Sequence, residues 1–448
     1  MTQRAIARLL AAAVAFGVLA PPAFAHATAE ASAPPWRDRL GLAGITAPAV
    51  APASPFLALI DSPVDLAHPA FAGAPLTADG AIAPYDLHGT ATAAVASATG
   101  ASGVLGVWPG MRLRSYPLGN GMATCEGVAQ LITRAVDDGA ATVSMSFGSD
   151  APCFPALAAL QAATRRGVTL VAAAGNGRLV GDAAEYPAAY PHVIAVGALG
   201  DRDAPAAFSG TSSVPDLAAP GTDVLTAVPA GFDPDPSHDG LAHLTGTSFS
   251  APMVAAAATW MRAVHPNLDA GQIGLALCNG ARDIAPRGFD RRTGCGALDL
   301  RSALKRSAPA PAPDPGEPND DVPWVDGVGT GAPARAIWRG GPRAVLRAWV
   351  TARDDPVDVY RILRPPRSHT LVTLVPSRGG ADLRLLQDDA LDVTDRAARL
   401  GASARAGRAI ERVTVSNASA RGRIAYLVVT HDASADAHRA RYRLTVGG

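Results

Sequence analysis

The feature that most limits the fold of this chain is a regular alternation of short β-branched runs with alanine-rich segments between residues 36 and about 305. The runs FLALID, RLRSYPL, ATVSMSFGS, VTLVAAAGN and HVIAVGAL are typical of buried strands, whereas EGVAQLITRAVDDG and PALAALQAATRRG carry apolar residues at helical spacing. This alternation predicts an α/β domain with a doubly wound, mostly parallel sheet. Ligands bind such sheets at the carboxyl ends of the strands, where Asp61, Asn176 and Ser146–Gly148 fall.

The N-terminus has the pattern of a secretory signal peptide. Arg4 and Arg8 precede the apolar run LLAAAVAFGVLA, and an Ala-x-Ala ending predicts cleavage after Ala25. The alternative is a membrane anchor, but the run is shorter than the roughly 20 residues that span a bilayer. We therefore expect a secreted, extracellular protein without a membrane segment.

Four cysteines remain after that cleavage, and an even number in an exported protein predicts disulfides. Four cysteines permit three pairings. Proximity along the chain favours Cys125–Cys153 and Cys278–Cys295, while the alternative of zinc ligation lacks any CxxC or Cys/His cluster of suitable spacing.

The chain changes character after residue 305. A Pro/Ala-rich stretch, residues 306–316, predicts an extended linker between a domain at 26–305, which includes a short N-terminal extension, and a domain at 317–448. The second domain contains short segments of alternating hydrophobicity, which predict an all-β antiparallel sandwich. The formal net charge is zero, which gives no electrostatic reason to expect nucleic acid or an acidic membrane as a partner. We expect a monomer.

The strongest chemical signal is GTSFSAPMVAAAATW, residues 246–260, which predicts that Ser248 enters a helix whose first turn contains Pro252. Free N–H groups at a helix start favour a developing negative charge. A serine at such a place is more commonly a helix cap.

Two further residues favour a catalytic role for Ser248 over that of a helix cap. Asp61 ends a predicted strand, and His88 begins a predicted helix. A serine hydroxyl needs a histidine to take its proton and a buried carboxylate to orient and stabilise that histidine. Asp61 as a loop cap and His88 as a surface histidine are the alternatives, but all three occurring together favours a catalytic triad.

The blocks LIDSPVDLAHP, HGTATAAVAS, SMSFGS, AAAGNG and GTSFSAPMVA resemble, in order, the signature blocks of the subtilisin-like serine proteases over about residues 50–305. The resemblance implies an endopeptidase that forms an acyl-enzyme, with Asp61, His88 and Ser248 as its triad. It also implies an oxyanion hole formed by the Asn176 side chain and the Ser248 main-chain N–H.

Two alternatives remain beside this interpretation. One is the acid-acting relatives that pair a similar serine motif with a catalytic glutamate; they lack the histidine found here at 88 and have aspartate at the position of Asn176. The other is a catalytically silent secreted binding protein whose working part is the β-sandwich.

The sequence departs from the family pattern at three places. Pro63 follows Asp61-Ser62 where glycine is more usual, and Ala91 replaces a second histidine outside the triad. The segment ATGASGVLGV resembles a calcium loop but offers no carboxylate. We expect no cofactor for the chemistry and no catalytic metal; a structural calcium ion stays an alternative that no clear site supports.

The same resemblance predicts how a protein or peptide substrate is held. One wall of the primary specificity pocket is expected from Ser146, Phe147 and Gly148, and the other from Ala173, Ala174 and Gly175. Glu185 falls near the base, where a carboxylate favours Arg or Lys before the scissile bond. The alternative is that Glu185 points to solvent or pairs with Arg178.

The C-terminal segment resembles the bacterial pre-peptidase C-terminal domain through EPNDD, DDPVDVYRIL, ADLRLLQDD and YRLTV. Asp354, Asp355 and Asp358 are expected to polarise a turn, with calcium binding as the alternative.

Overall fold

The computed structural model describes residues 34–119, 124–284, 287–305, 319–327, 332–351, 357–390, 393, 395–432 and 439–448. The predicted signal peptide, the predicted linker, Asp354 and Asp355 lie outside these residues. The chain divides into two compact units, one of residues 1–156 and 163–308 and the other of residues 157–162 and 309–448. None of the helices in the described ranges is both long and apolar enough to cross a membrane.

The first unit is built on a seven-stranded sheet in the order β2-β3-β1-β4-β5-β6-β7, with every neighbouring pair parallel. Its strands are β1 Leu57–Asp61, β2 Leu76–Ala78, β3 Leu113–Pro117, β4 Thr142–Met145, β5 Thr169–Ala173, β6 Val193–Leu199 and β7 Leu217–Pro220. The central strands β1, β4 and β5 are buried along their whole length, as expected when helices cover both faces. The predicted doubly wound parallel sheet is confirmed.

The helices between residues 34 and 305 are α1 Pro35–Arg39, α2 His88–Ser97, α3 Cys125–Asp137, α4 Phe154–Arg165, α5 Thr247–Val264, α6 Ala270–Gly280 and α7 Leu300–Leu304. Strands β8 Val224–Ala227 and β9 Leu241–Leu244 form a separate antiparallel pair before α5. Alanine dominates α2 and α5, and its small side chain lets both helices lie deep in the core, where they are buried from end to end or nearly so. Pro252 lies in the second turn of α5 and not in the first, because the helix begins at Thr247.

The N-terminal extension is part of this core. Trp36 and Leu40 are buried, and the Leu40 carbonyl accepts the N–H of Leu300 at the start of α7. Asp203 forms ion pairs with both Arg39 (2.8 Å) and Arg282 (2.7 Å). The start and the end of the unit are thereby held together.

Both predicted disulfides, Cys125–Cys153 and Cys278–Cys295, are present. The first joins the start of α3 to the segment before α4, and the second joins α6 to the segment before α7. Each closes a short loop, of 28 and 17 residues respectively.

The second unit contains two antiparallel four-stranded sheets, in the orders β10-β17-β12-β15 and β11-β16-β13-β14. The strands are β10 Ala344–Thr351, β11 Val357–Arg364, β12 Ser368–Arg378, β13 Ala381–Gln387, β14 Arg399–Ser403, β15 Glu411–Asn417, β16 Arg423–His431 and β17 Arg439–Gly447, and α8 is Val322–Asp326. Both sheets contribute alternate residues to one apolar core, so the predicted all-β region is confirmed.

Asp358 does not lie in a turn, as was predicted. It lies within β11, fully buried, and accepts hydrogen bonds from the Asn319 amide (3.0 Å) and the Tyr442 hydroxyl. A buried carboxylate needs such partners, so Asn319 of the EPNDD segment has a structural role in this unit.

Candidate active site

Asp61 ends β1 with its side chain buried, 3% exposed. Its Oδ1 accepts the N–H of Ser62 (2.7 Å) and lies 2.6 Å from Nδ1 of His88, while Oδ2 accepts the hydroxyl of Thr92 (3.0 Å). Because all of these partners are donors or can be, the carboxylate is held in one place and fixes the orientation of the imidazole.

His88 is the first residue of α2 and is 7% exposed. Burial alone lowers its pKa, but the charge and hydrogen bond of Asp61, with a smaller contribution from the charge of Asp86, raise the pKa above its ordinary value. The ring therefore accepts a proton more readily than an isolated histidine does. On its other side lies Phe249, with ring centroids 5.9 Å apart, which brings α5 against the imidazole.

A second carboxylate, Asp86, stabilises the start of α2. Its Oδ1 accepts both the N–H of His88 (2.9 Å) and the hydroxyl of Ser62, whose oxygen in turn accepts the N–H of Gly89 (2.8 Å). A Cβ at Gly89 would lie 1.9 Å from the Ser62 carbonyl oxygen, so glycine is required there. With Pro63 in place of the usual glycine, Asp61 still makes the contacts of an orienting carboxylate.

Ser248 lies in the first turn of α5, 7% exposed, and the N-cap is Gly246. The side chain of Ser248 therefore does not cap the helix. Its hydroxyl donates to the Ser146 carbonyl (3.2 Å), and the hydroxyl of Ser146 donates to the Ser248 carbonyl (2.9 Å). Pro252 has no N–H with which to reach that carbonyl four residues back, so Ser146 supplies the missing donor.

Asn176 follows β5 and is exposed. Its Oδ1 accepts both the N–H (2.9 Å) and the hydroxyl (3.0 Å) of Thr247. Since an N–H can only donate, these contacts fix the oxygen of the amide toward the start of α5 and leave Nδ2 as a donor directed elsewhere. That orientation is the one an oxyanion hole requires.

Glu185 lies between the two segments that were expected to line the specificity pocket. A Cβ at Gly148 would lie 2.3 Å from its Oε2, and a Cβ at Gly175 would lie 2.2 Å from its Oε1. Gly175 also has a φ of +98°, which a side chain would strain. The carboxylate therefore occupies the gap between Ser146–Gly148 and Ala173–Gly175.

Several contacts hold Glu185 there. Its N–H donates to Ser213 (2.9 Å), and its neighbour Tyr186 exchanges main-chain hydrogen bonds with Ser149 (2.8 and 2.9 Å). Burial raises the pKa of the Glu185 carboxyl, partly offset by a hydrogen bond from the Asn176 N–H. Arg178 donates to the Ala207 carbonyl (3.1 Å), and no ion pair among the described residues joins it to Glu185.

The sequence reasoning missed Thr92, Asp86 and Thr247. Thr92 was recoverable, because a residue four positions after His88 lies on the same face of a helix. Asp86 and Thr247 gave no comparable signal, since their contacts depend on tertiary placement.

No group of three or more His, Cys, Asp or Glu side chains in the described residues is arranged to hold a metal ion. Where the sequence resembles a calcium loop, the segment closes on itself through main-chain hydrogen bonds from Gly100 to Val104 (2.9 Å) and from Gly103 to Gly100 (3.1 Å).

Comparison with known proteins identifies a family and several relatives of this chain. A model of the subtilase family matches residues 53–296. The chain is 33% identical over 210 residues to a thermophilic serine proteinase of Bacillus sp. (strain AK1), covering 44% of this chain and 50% of that protein. It is 31% identical over 236 residues to subtilisin BL of Lederbergia lenta, covering 52% of this chain and 81% of that protein.

Solved structures agree. The prenylagaramide maturation protease PagA has a TM-score of 0.50 at 28% identity, covering 56% of this chain and 92% of that one. The psychrophilic subtilisin-like protease Apa1 from the Antarctic psychrotroph Pseudoalteromonas sp. AS-11 has a TM-score of 0.53 at 18% identity, covering 61% and 97%, and supports the fold.

Proposed function

The chain belongs to the subtilase family, and from that membership we propose that it is a serine endopeptidase with Asp61, His88 and Ser248 as its triad. The observation that carries the proposal is the 2.6 Å contact between buried Asp61 and His88, with Phe249 of the serine-bearing helix against the same imidazole. The reaction is the hydrolysis of peptide bonds in protein or peptide substrates.

The chemistry proceeds in two halves. Ser248 Oγ attacks the scissile carbonyl while His88 takes its proton, and the charged imidazole is stabilised by Asp61. The oxyanion is held by the Ser248 N–H and by Nδ2 of Asn176, whose orientation is supported by its two hydrogen bonds from Thr247. His88 then protonates the leaving amine, and water releases the acyl group from Ser248 by the reverse path.

Attack requires the Ser248 hydroxyl to turn from the Ser146 carbonyl toward the imidazole. The present contact, at 3.2 Å, is a weak one, so little is lost by that rotation. The Ser146 hydroxyl, which bonds to the Ser248 main chain, keeps the backbone in place during it.

A serine-directed fluorophosphonate tests the activity. The wild-type chain is expected to be labelled and Ser248→Ala to remain unlabelled. Absence of labelling in a folded wild-type protein would favour the silent binding protein, in which the β-sandwich is the working part.

The pocket is proposed to favour Arg or Lys before the scissile bond. The support is the position of the Glu185 carboxylate between Gly148 and Gly175, where it would meet an entering cation. Peptides that end in Arg or in Phe before a reporter group separate the possibilities. Glu185→Gln should lower kcat/KM for the Arg peptide by tenfold or more, at about 1.4 kcal/mol per tenfold, and leave the Phe peptide unchanged or improved. A Phe preference that Glu185→Gln leaves untouched would contradict this specificity.

Three further properties belong to the proposal. The protein is exported as a monomer after cleavage near Ala25, which N-terminal sequencing and size measurement of material from the culture medium would test. The chemistry needs no cofactor, so chelation of metal ions should leave the catalytic step unchanged as long as the chain stays folded. The resemblance of the second unit to the pre-peptidase C-terminal domain remains a prediction.

A further inference from the structure

The net charge of the chain is zero, but its two parts carry net charges of opposite sign. Residues 26–305 contain 16 Lys and Arg against 23 Asp and Glu, whereas residues 317–448 contain 20 Arg against 15 Asp and Glu. The segment that forms the β-sandwich is therefore basic. Whether that charge is spread or concentrated depends on which strand positions the arginines occupy.

Many of these arginines lie on one sheet face. In β10 and β17, Ala348, Val350, Tyr442 and Leu444 point into the core, so the residues that alternate with them point outward. The outward positions carry Arg347 and Trp349 on β10 and Arg441 and Arg443 on β17, and all three arginines are exposed.

The register places these side chains next to one another. Arg347 is directly opposite Arg443, and Trp349 is directly opposite Arg441. Directly opposed side chains have Cβ atoms about 5 Å apart, and like charges at that distance are destabilising. Arg412 lies on the same face. It is opposite Thr373, and Thr373 is in turn opposite Thr445. Thr445 is two positions from Arg443 and therefore points to the same side of the sheet. We call Arg347, Trp349, Arg412, Arg441 and Arg443 the basic face.

Among the residues whose side chains the structure describes, no carboxylate lies at an outward position of this sheet. The other outward positions of this sheet whose side chains the structure describes are occupied by Val, Leu, Thr, Ser, His and Gly, and by Arg378, which lies opposite Arg441. Among the described residues, no ion pair includes any of the four arginines, although arginines elsewhere in the same unit do pair, as Arg361 does with Asp326 and Arg423 with Asp388. No anion in the part of the chain that the structure describes offsets the repulsion between Arg347 and Arg443, which a polyanionic ligand would relieve.

We propose that the basic face binds an acidic polysaccharide. A sheet face with four guanidinium groups suits a linear polymer that carries an anion on successive units, because each arginine can donate two parallel hydrogen bonds to a carboxylate or sulfate. Trp349, which is partly exposed, lies beside them and is a side chain of the kind against which a sugar ring packs.

The other polyanions fit the face less well. Single-stranded nucleic acid is bound by several aromatic platforms, and among the described outward positions Trp349 is the one aromatic ring of that kind. An acidic membrane requires an apolar surface to insert, whereas the exposed apolar residues described on this face, Val345 and Leu371, are single and lie on strands separated by β17. The two disulfides are typical of exported proteins, which meet polysaccharides outside the cell.

Binding is measured with the full-length chain carrying Ser248→Ala, to prevent self-digestion, and with labelled heparin and alginate as probes at about 0.15 M salt. The double variant Arg347→Gln/Arg443→Gln is expected to bind at least tenfold more weakly, with a shallower dependence on salt. The matched control is Arg405→Gln/Arg408→Gln, which removes the same charge from two exposed arginines of the same unit outside the sheet, and it should change binding less than twofold.

Weaker binding by the Arg347/Arg443 double variant would not reflect misfolding, because removing two opposed like charges should not lower the melting temperature. The proposal is overturned by equal losses in both double variants, by no measurable binding of either probe, or by tighter binding to a single-stranded oligonucleotide or to anionic phospholipid vesicles. Charge-dependent self-association that the Arg347/Arg443 variant abolishes would also overturn it, since the acidic unit of a second copy would then be the ligand. The test does not depend on peptidase activity.

Discussion

The hydroxyl of Ser146 donates to the main-chain oxygen of Ser248 at 2.9 Å, in the place where an uninterrupted helix would use the N–H of residue 252. A proline at that position normally leaves an unsatisfied carbonyl inside a helix. Here the lost bond is replaced by one from the adjacent strand end. The first turn of α5 is therefore joined to the segment after β4, which ties the proposed nucleophile to one wall of the proposed specificity pocket.

Replacing Ser146 with Ala should lower both stability and turnover. The loss of a buried hydrogen bond costs about 1 kcal/mol, and the Ser248 carbonyl would be left without a donor. We expect a severalfold fall in kcat and a lower midpoint of denaturant unfolding. The matched control is Ser144→Ala in β4, the strand that ends just before Ser146. The buried hydroxyl of Ser144 has no hydrogen-bond partner among the described atoms, so this variant should retain activity. Equal effects of the two variants would show that the contact with Ser248 is unimportant.

The variant Asn176→Asp tests whether residue 176 acts by donating a hydrogen bond or only by its position. Aspartate retains an oxygen that can accept from Thr247 but cannot donate to an oxyanion, and its charge would repel one. We expect kcat to fall by at least the factor of about 10²–10³ that follows loss of the corresponding donor in a subtilisin, with little change in KM. Asn176→Ala should fall by a similar factor, whereas a change confined to KM would contradict the assigned role.

Asp86→Asn should move the acidic limb of the pH–rate profile to lower pH. His88 must be neutral to accept a proton, so kcat/KM falls as the pH drops through its pKa. Asp86 contributes to the raised pKa of His88 through its charge, and asparagine removes that charge while keeping an oxygen to accept from Ser62 and His88. Asp65→Asn is the control, because the charge of Asp65 acts on His68 instead. A limb that moves equally in both variants, or in neither, would contradict this account.

Gly148→Ala and Glu185→Ala should be strongly coupled. In the wild-type chain the added methyl group collides with Oε2 of Glu185, so Gly148→Ala should displace the carboxylate and reduce cleavage after Arg. When Glu185 is already alanine, the added methyl group no longer meets a carboxylate oxygen but a Cβ at 3.0 Å, so the same change should cost less. Measured with Arg and Phe peptides, the effects of the two single variants should therefore not add in the double variant; simple additivity would place Glu185 outside the pocket.

Most of the fold was predictable because its signals are local. The strands that end at Asp61 and near Ser146 and Asn176 are short buried runs, and the rule that parallel strands bind ligands at their carboxyl ends brought these residues together before any geometry was known. The confirmed disulfides followed from the short distances between their cysteines along the chain.

What escaped the sequence depends on atoms that are remote in the chain. Nothing near Asp86 indicates that its carboxylate bonds to Ser62, 24 residues away, and nothing in the Pro252 helix indicates a donor at Ser146. The basic face was hidden for a different reason: a total charge cannot reveal a distribution, and the pairing of Arg347 with Arg443 appears only when the strand register is known.

The N-terminal extension has a consequence for how this protein reaches its native state. The bond from Arg282 to the Arg39 carbonyl joins residues separated by 243 positions, and contacts of such long range form slowly because the chain must first bring distant parts together. While they form, unfolded copies coexist with molecules that have already become active. An active peptidase digests copies of the same chain that are still unfolded. The refolding yield of the wild type should therefore fall as the protein concentration rises, and Ser248→Ala should restore it.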